Sequence, residues 1–277
     1  MDHLSGYRHS KPVRVGNAAQ KQMQLDVYGG VTAAAAEFVA SGGSLQHDQQ
    51  KLLAGFGRMV CDHWREPDHG IWEIRDRKRH YTFSKLMCWV ALDHLLELDR
   101  TVGLAIRRDR FEDERSAIAD AIETRGFNTD LGAYVGELDG DRMDASLLLM
   151  PCLGYDSPEP ERMRTTFERI EACLGRDGLF YRYEPYSDDP AGPEGAFGIC
   201  SFWAVENLAR RGDPDHAQRL FDTVLAHAND VGLFAEEIDP ESGEALGNFP
   251  QAFTHIGLIN AALAIDKARG GSSHGVV

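Results

Sequence analysis

The chain has 277 residues, 43% of them hydrophobic, enough to bury one large core, which excludes a disordered polypeptide. Its 29 Lys and Arg stand against 44 Asp and Glu, a formal charge of −15, so the mean field repels phosphate backbones and anionic lipid and argues against nucleic acid or membrane partners. No apolar run approaches the roughly 20 residues that span a bilayer, and the opening MDHLSGYRHSKPVR lacks an apolar signal core, so a cytoplasmic chain is expected.

Helical periodicity runs through segment after segment, and strand-like alternation is nearly absent. The first helix is predicted to bury Met23, Val27, Val31, Ala35 and Phe38 and to end at Gly42-Gly43; the second carries Leu52, Leu53, Phe56, Met59, Val60 and Trp64 before Pro67. A third places Phe83, Leu86, Met87, Val90, Ala91, Leu95 and Leu98 on one broad face. A polar helix follows around Ile118 and Ile122, then a short apolar one from Ala145 to Met150, then one opened by Pro160 and closed by Gly175. Phe197 to Leu208 forms the next. Asp213-Pro214 starts another with an N-cap oxygen and a pre-set φ, and a last helix spans about Pro250 to Ile265.

These roughly nine helices, joined alternately by short links and longer loops without a fixed-period repeat, suit a toroid or solenoid of helical hairpins over residues 1–270, with 271–277 as a flexible tail. Cys61, Cys88, Cys152, Cys173 and Cys200 are odd in number and scattered, and are read as buried small side chains. His63, His69 and His80 lie near acids without metal-site spacing, so no metal or other cofactor is expected.

The long loops hold the chemistry. The first, Trp64 to Tyr81, sets two Trp and the carboxylate of Glu73 among Arg residues, including Arg75. Sugar rings offer an apolar face to indole and hydroxyls to charged groups, so this mixture suits a saccharide pocket. Glu73, next to Trp72, would be partly desolvated and fit for general-acid work. A core-packed Trp72 with Glu73 paired to Arg75 at the surface accounts for the same residues. A later loop, Leu233 to Pro240, holds Glu236, Glu237 and Asp239, either a solvated acidic turn or a second catalytic carboxylate. Inverting hydrolysis of a glycosidic bond needs one protonated carboxyl and one ionised carboxylate, roughly 6.5–9.5 Å apart. Only a closed fold brings residues as distant as Glu73 and Glu236 together.

PDHGIWEIRDRKRHYTFSKLMCWVALD resembles the acid loop and following helix of bacterial family 15 glycoside hydrolases, and AEEIDPESGEALGNFPQAFTHIGLINAAL resembles their second catalytic loop and final helix. GYRHSKPVRVGNAAQKQMQLDVYG, DASLLLMPCLGY, EGAFGICSFWAVENLARRG and HAQRLFDTVL are also similar, so the resemblance covers essentially the whole chain.

The resemblance implies an all-α (α/α)6 toroid, incomplete on its N-terminal side, and inverting hydrolysis of α-glucosidic bonds of the glucoamylase or trehalase type. Glu73 matches the general acid and Glu236 the general base, with Glu237 the alternative; Arg182 matches the arginine that grips the non-reducing glucose, and Trp72 the aromatic wall. Lys85, Arg75 and Glu194 are weaker candidates for substrate contact. The expected ligand is an α-glucoside or trehalose. Full-length members carry a β-sandwich and the first barrel helices, with an Arg-Asp substrate motif, ahead of the matched region. The expected partner is therefore a companion chain carrying that part, or a further copy of this chain. The competing function is an inactive or partner-dependent sugar-binding fragment; a phosphorylase or epimerase on the same toroid is a third, and the presence of Glu236 argues against phosphorolysis.

Overall fold

The computed structural model describes residues 1–6, 9, 11–74, 78–155, 160–184 and 194–270. Among these are eight α-helices: α1 (Asp26–Ala40), α2 (His47–His63), α3 (Thr82–Val102), α4 (Arg108–Ala121), α5 (Pro160–Leu174), α6 (Gly198–Arg210), α7 (Pro214–Leu225) and α8 (Ala252–Ala268). The apolar segment after Asp144 is a 3-10 helix, Ala145–Leu149, and Pro151, which lacks an N–H to continue it, opens a second short turn, Pro151–Leu153. The expected tail, 271–277, lies outside the described residues.

The helices form two rows. α1 packs on α3 and α8 on α6, while the Ala145–Leu149 turn touches both α3 and α6, giving one inner row; α2, α4, α5 and α7 stand behind it. Burial follows the rows. α6 is buried continuously from Gly198 to Ala209 and α3 from Thr82 to Cys88, because neighbouring elements pack on them from every side. Outer α5 buries only Thr166, Phe167, Ile170 and Leu174, one stripe at helical spacing. Leu86, Val90, Leu92, Leu95 and Phe202 anchor the common core, each such side chain contributing about 1.5–3 kcal/mol by leaving water.

Caps fall where the sequence signals them. Asp213 accepts from the His216 N–H at 3.1 Å ahead of Pro214, and Gln251 caps α8 through Phe253. The apolar periodicity misleads at the N-terminal end of the chain. Val27, Val31 and Phe38 of α1 face solvent rather than a core, as do Leu52 and Met59 of α2, because nothing among the described residues covers those faces. Cys61, Cys88 and Cys200 are buried, Cys152 is partly buried, and Cys173 is exposed; all five are free thiols.

Connections from an inner helix to the next outer one are short, whereas every connection from outer to inner is long: 64–81, 122–144, 175–197 and 226–251. Since the rows alternate in direction, all the long loops emerge at one end of the assembly. They hold seven two-residue strands: β1 (Phe127–Asn128) with β2 (Ala133–Tyr134), β3 (Gly175–Arg176) with β4 (Leu179–Phe180), and a sheet of β5 (Ala196–Phe197), β6 (Glu237–Ile238) and β7 (Ala245–Leu246). Neighbouring loops are also stitched by isolated bridges, Tyr81 with Glu137 and Asp144 with Tyr183. No helix among the described residues is long and apolar enough to cross a membrane.

Candidate active site

The loop between α2 and α3 is held at its base by Asp68. This buried side chain takes the N–H groups of Leu25 and Gly70 and the Ser84 hydroxyl on one oxygen, at 3.0, 3.2 and 2.8 Å, while its main chain pairs with Arg79. The segment before α1 grips the tip. Gln22 donates to the carbonyls of Glu73 and Ile74 at 3.2 and 3.3 Å, and Asn17 donates to Glu73 Oε2 at 2.9 Å. Glu73 itself adopts φ +55°, a conformation a non-glycine residue keeps only where its surroundings impose it. Asp26 shares this corner. Burial first, then the nearby Asp68 and Glu73 charges, push its carboxyl up to about 6, against a backbone hydrogen bond that lowers it.

Trp72 turns inward. Its Nε1–H lies 3.0 and 3.1 Å from the two oxygens of buried Asp144, and its ring packs at 6.4, 5.8 and 6.0 Å from Tyr183, Phe197 and Trp203. Asp144 also caps the Ala145–Leu149 turn through Ser146. Burial pushes its carboxyl up, opposed by the bonds from Ser146 and Trp72 and by the Arg182 charge. The Arg182 guanidinium lies 5.0 Å from the Phe197 ring and 5.6 Å from Trp72, and is ion-paired with Glu194.

Glu236 sits in the bend just before β6 and Glu237 is the first residue of that strand, and the two side chains are held by different partners. Glu237 lies in register with Phe197, accepts the Gly195 N–H at 3.1 Å and feels the Arg182 and Glu194 charges; burial foremost raises its carboxyl. Glu236 is held from the other side. Asn248 donates both its backbone N–H and its amide to Oε2 at 2.9 Å, and Gln251 donates to Oε1 at 3.1 Å. Gly247, at φ +70°, lets the chain pass so close that a Cβ there would lie 2.6 Å from Glu236 Oε2.

Trp72, Arg182, Glu194 and Glu237 are thus gathered around Phe197, whose neighbour Gly198 donates its N–H to the Glu236 carbonyl at 2.9 Å. Glu73 is linked to this group through Trp72. Lys85 is placed differently: fully buried in the first turn of α3, it donates to the Glu66 carbonyl at 2.7 Å and braces the loop from beneath. Burial lowers its pKa. Arg75 lies outside the described residues. Sequence reasoning missed Asp144, Asn17, Gln22 and Asp26. Asp144 reads as an ordinary N-cap before an apolar run, Asp26 as a polar position of the first helix, and Asn17 and Gln22 lie in a polar stretch with no periodicity to mark it. Among the described residues no group of three or more His, Cys, Asp or Glu could hold a metal ion.

Comparison with known proteins agrees with this architecture. The chain is 40% identical over 277 residues to a trehalase of Mycobacterium tuberculosis, covering 97% of this chain and 40% of that protein. It is 34% identical over 263 residues to a trehalase of Thermoplasma volcanium, covering 95% and 42%. It therefore spans less than half the length of these curated relatives. Among solved structures, a wild-type glycosidase superposes with a TM-score of 0.75 at 18% identity, over 93% of this chain and 70% of that one, and the glucoamylase from Saccharomycopsis fibuligera with 0.74 at 13%, over 94% and 73%. These two likenesses establish the (α/α)6 fold. The family profile described as "Glycosyl hydrolases family 15" matches residues 2–212 and 214–263, and the chain belongs to that family.

Proposed function

We propose that residues 1–270 form a catalytic unit of an inverting α-glucoside hydrolase of the glucoamylase and trehalase type. Trehalose is the favoured substrate because the similar proteins named above are trehalases. In this reading Glu73 donates its proton to the glycosidic oxygen as the bond to the anomeric carbon breaks. Glu236 takes a proton from a water that attacks that carbon from the opposite face, so the released glucose has inverted configuration. Trp72 and Phe197 wall the glucose ring, and Arg182, set by Glu194 and flanked by Glu237, receives its hydroxyls.

The observation that carries the proposal is the Trp72–Phe197 contact at 5.8 Å, which joins the Glu73 loop to the strand pair that holds Glu237 and has Glu236 just ahead of it. It brings the two acidic loops against each other, which supports reading them as parts of one site. Asn248 and Gln251 fix the Glu236 carboxylate and leave it partly exposed, as a base that meets water requires.

A second reading is favoured by one fact: the chain spans about two fifths of the Mycobacterium tuberculosis relative. Here the 277 residues bind glucose but hydrolyse nothing until further polypeptide completes the pocket. Glucose release from trehalose, maltose and isomaltose by the purified chain, with Glu73→Gln and Glu236→Gln beside it, tests both. Activity abolished by each substitution supports the catalytic assignment, and silence on all three sugars with retained glucose binding supports the partner-dependent form. Full activity in either variant overturns that residue's role.

A further inference from the structure

In the corner where the segment before α1 crosses the acid loop, three buried side-chain oxygens receive no hydrogen bond: Gln22 Oε1, Asp26 Oδ1 and Asp68 Oδ1. The atoms beside them are well paired. Asp68 Oδ2 accepts the Leu25 N–H at 3.0 Å, the Gly70 N–H at 3.2 Å and the Ser84 hydroxyl at 2.8 Å, and Gln22 gives its amide N–H groups to the carbonyls of Glu73 and Ile74. Buried acceptors without donors are costly, and oxygens that only accept cannot satisfy one another. A carboxyl becomes a donor by taking a proton.

Asp26 is the carboxyl placed to take it. Three donors already hold Asp68 as an acceptor, whereas at Asp26 a backbone hydrogen bond alone opposes burial and the Asp68 and Glu73 charges. The groups that face Asp26 are these two carboxylates from the loop, with His69 between them in sequence, and Cys88 from α3; the Lys85 ammonium of α3 lies nearer Asp68 and gives its hydrogen bond to the Glu66 carbonyl. Of the two acceptors left, the Asp68 carboxylate makes the stronger bond, since a charge-assisted O–H···O⁻ bond is roughly twice as strong as a neutral one.

We propose that Asp26 carries a proton and donates it to Asp68 Oδ1, and that this carboxyl–carboxylate bond seats the Glu73 loop on the start of α1, making Asp26 and Asp68 positioning residues for the general acid. Its catalytic part rests on the role given to Glu73 above. The link to that residue is short: Asp68 holds the Gly70 N–H, and the Gly70 carbonyl accepts the Glu73 N–H at 3.3 Å, closing the turn that leaves Glu73 at φ +55°. The bond exists only while the proton is bound. As pH rises the proton leaves, Asp26, Asp68 and Glu73 repel one another, and the loop loosens.

Hydrogen exchange of the 277-residue chain, followed by mass spectrometry on peptides spanning 68–74 and corrected for the intrinsic pH dependence of exchange, tests the bond without turnover. Wild-type protection should fall at least tenfold from pH 5 to pH 8. Asp26→Asn, whose amide donates to Asp68 at every pH, should hold protection constant across that range, and Asp26→Ala, which has no donor, should show the low value at both ends. Peptides from α6 should change in none of the three. Wild-type protection that is flat with pH, or an Asp26→Asn chain that follows wild type because His69 is the group that titrates, would overturn the proposal. With trehalose as substrate, Asp26→Asn should keep its kcat at pH 8 where wild type loses at least threefold, at unchanged KM; a shift in KM instead overturns the positioning role. Full activity of Glu73→Gln removes the general acid and leaves the bond, because exchange is read on the resting chain.

Discussion

The indole N–H of Trp72 is shared between the two carboxylate oxygens of Asp144, at 3.1 and 3.0 Å, across a separation of 72 residues in the chain. The same carboxylate takes the N–H and the hydroxyl of Ser146, so one buried side chain both caps an inner-row turn and fixes the aromatic wall. Asp144→Ala leaves the indole N–H and the Ser146 donors unpaired, and should destabilise the fold by about 1–3 kcal/mol in urea or guanidinium unfolding. Asp144→Asn, which keeps one acceptor, should cost less. An Asp144→Ala chain as stable as wild type would remove Asp144 from this role.

The polar segment ahead of α1 positions the acid loop. Asn17→Ala removes the only hydrogen bond described to the Glu73 carboxyl among these residues, and Gln22→Ala frees the carbonyls of Glu73 and Ile74. With Glu73 in its proposed role as general acid, each should lower kcat about tenfold with little change in KM, since a misplaced acid fails at the transition state while the sugar still binds. Steady-state kinetics that show KM moving instead would mean these residues contact substrate.

Gly247→Ala combines two penalties, a side chain at φ +70° and a Cβ 2.6 Å from Glu236 Oε2. Gly243→Ala carries only the first, having φ +73° and no atom nearer than His227 at 3.9 Å. Both should lose about 1–2 kcal/mol of stability. Only Gly247→Ala should also cut kcat, by at least tenfold, and equal kcat losses in the two variants would contradict the role given to Glu236.

Asp26 gives a pH signature. Its carboxyl is pushed up to about 6 in the fold from 3.8, so the folded protein binds this proton more tightly than the unfolded chain does. That contribution is fully present below the unfolded value and is lost as pH rises through about 6, amounting to roughly 3 kcal/mol at most. Asp26→Asn should therefore gain stability relative to wild type between pH 4 and pH 8. Thermal melts at the two pH values measure the difference, and a gap that does not widen with pH would remove Asp26 from this account.

Helix positions were legible because the 3.6-residue rhythm, Pro160, Asp213-Pro214 and Gly175 each have a local cause. The Trp72-Glu73 and Glu236-Glu237 pairs were legible because a carboxylate beside an indole, or beside another carboxylate, is costly without a use. What periodicity hid was which apolar face is inside. Val31 and Leu86 look alike in the sequence, yet one is exposed and the other fully buried, because burial depends on neighbours far along the chain. Asn17 and Gln22 were hidden for the same reason: an amide 56 or 51 residues from its partner leaves no pattern. Lys85 drew notice as a charge near the acid loop, but a buried ammonium bonded to a carbonyl serves the loop's stem as well as any ligand would.

The β5–β6–β7 sheet is only two residues wide, with Ala196 and Phe197 facing Ile238 and Glu237, which in turn face Ala245 and Leu246. Side chains on extended chain alternate sides, so sliding β6 by a single residue would exchange Glu236 with Glu237 in front of Arg182 and turn the other acid away. Pairing on both edges forbids that slip. The choice between two chemically identical neighbours is thus made by the phase of a strand that is pinned on both edges.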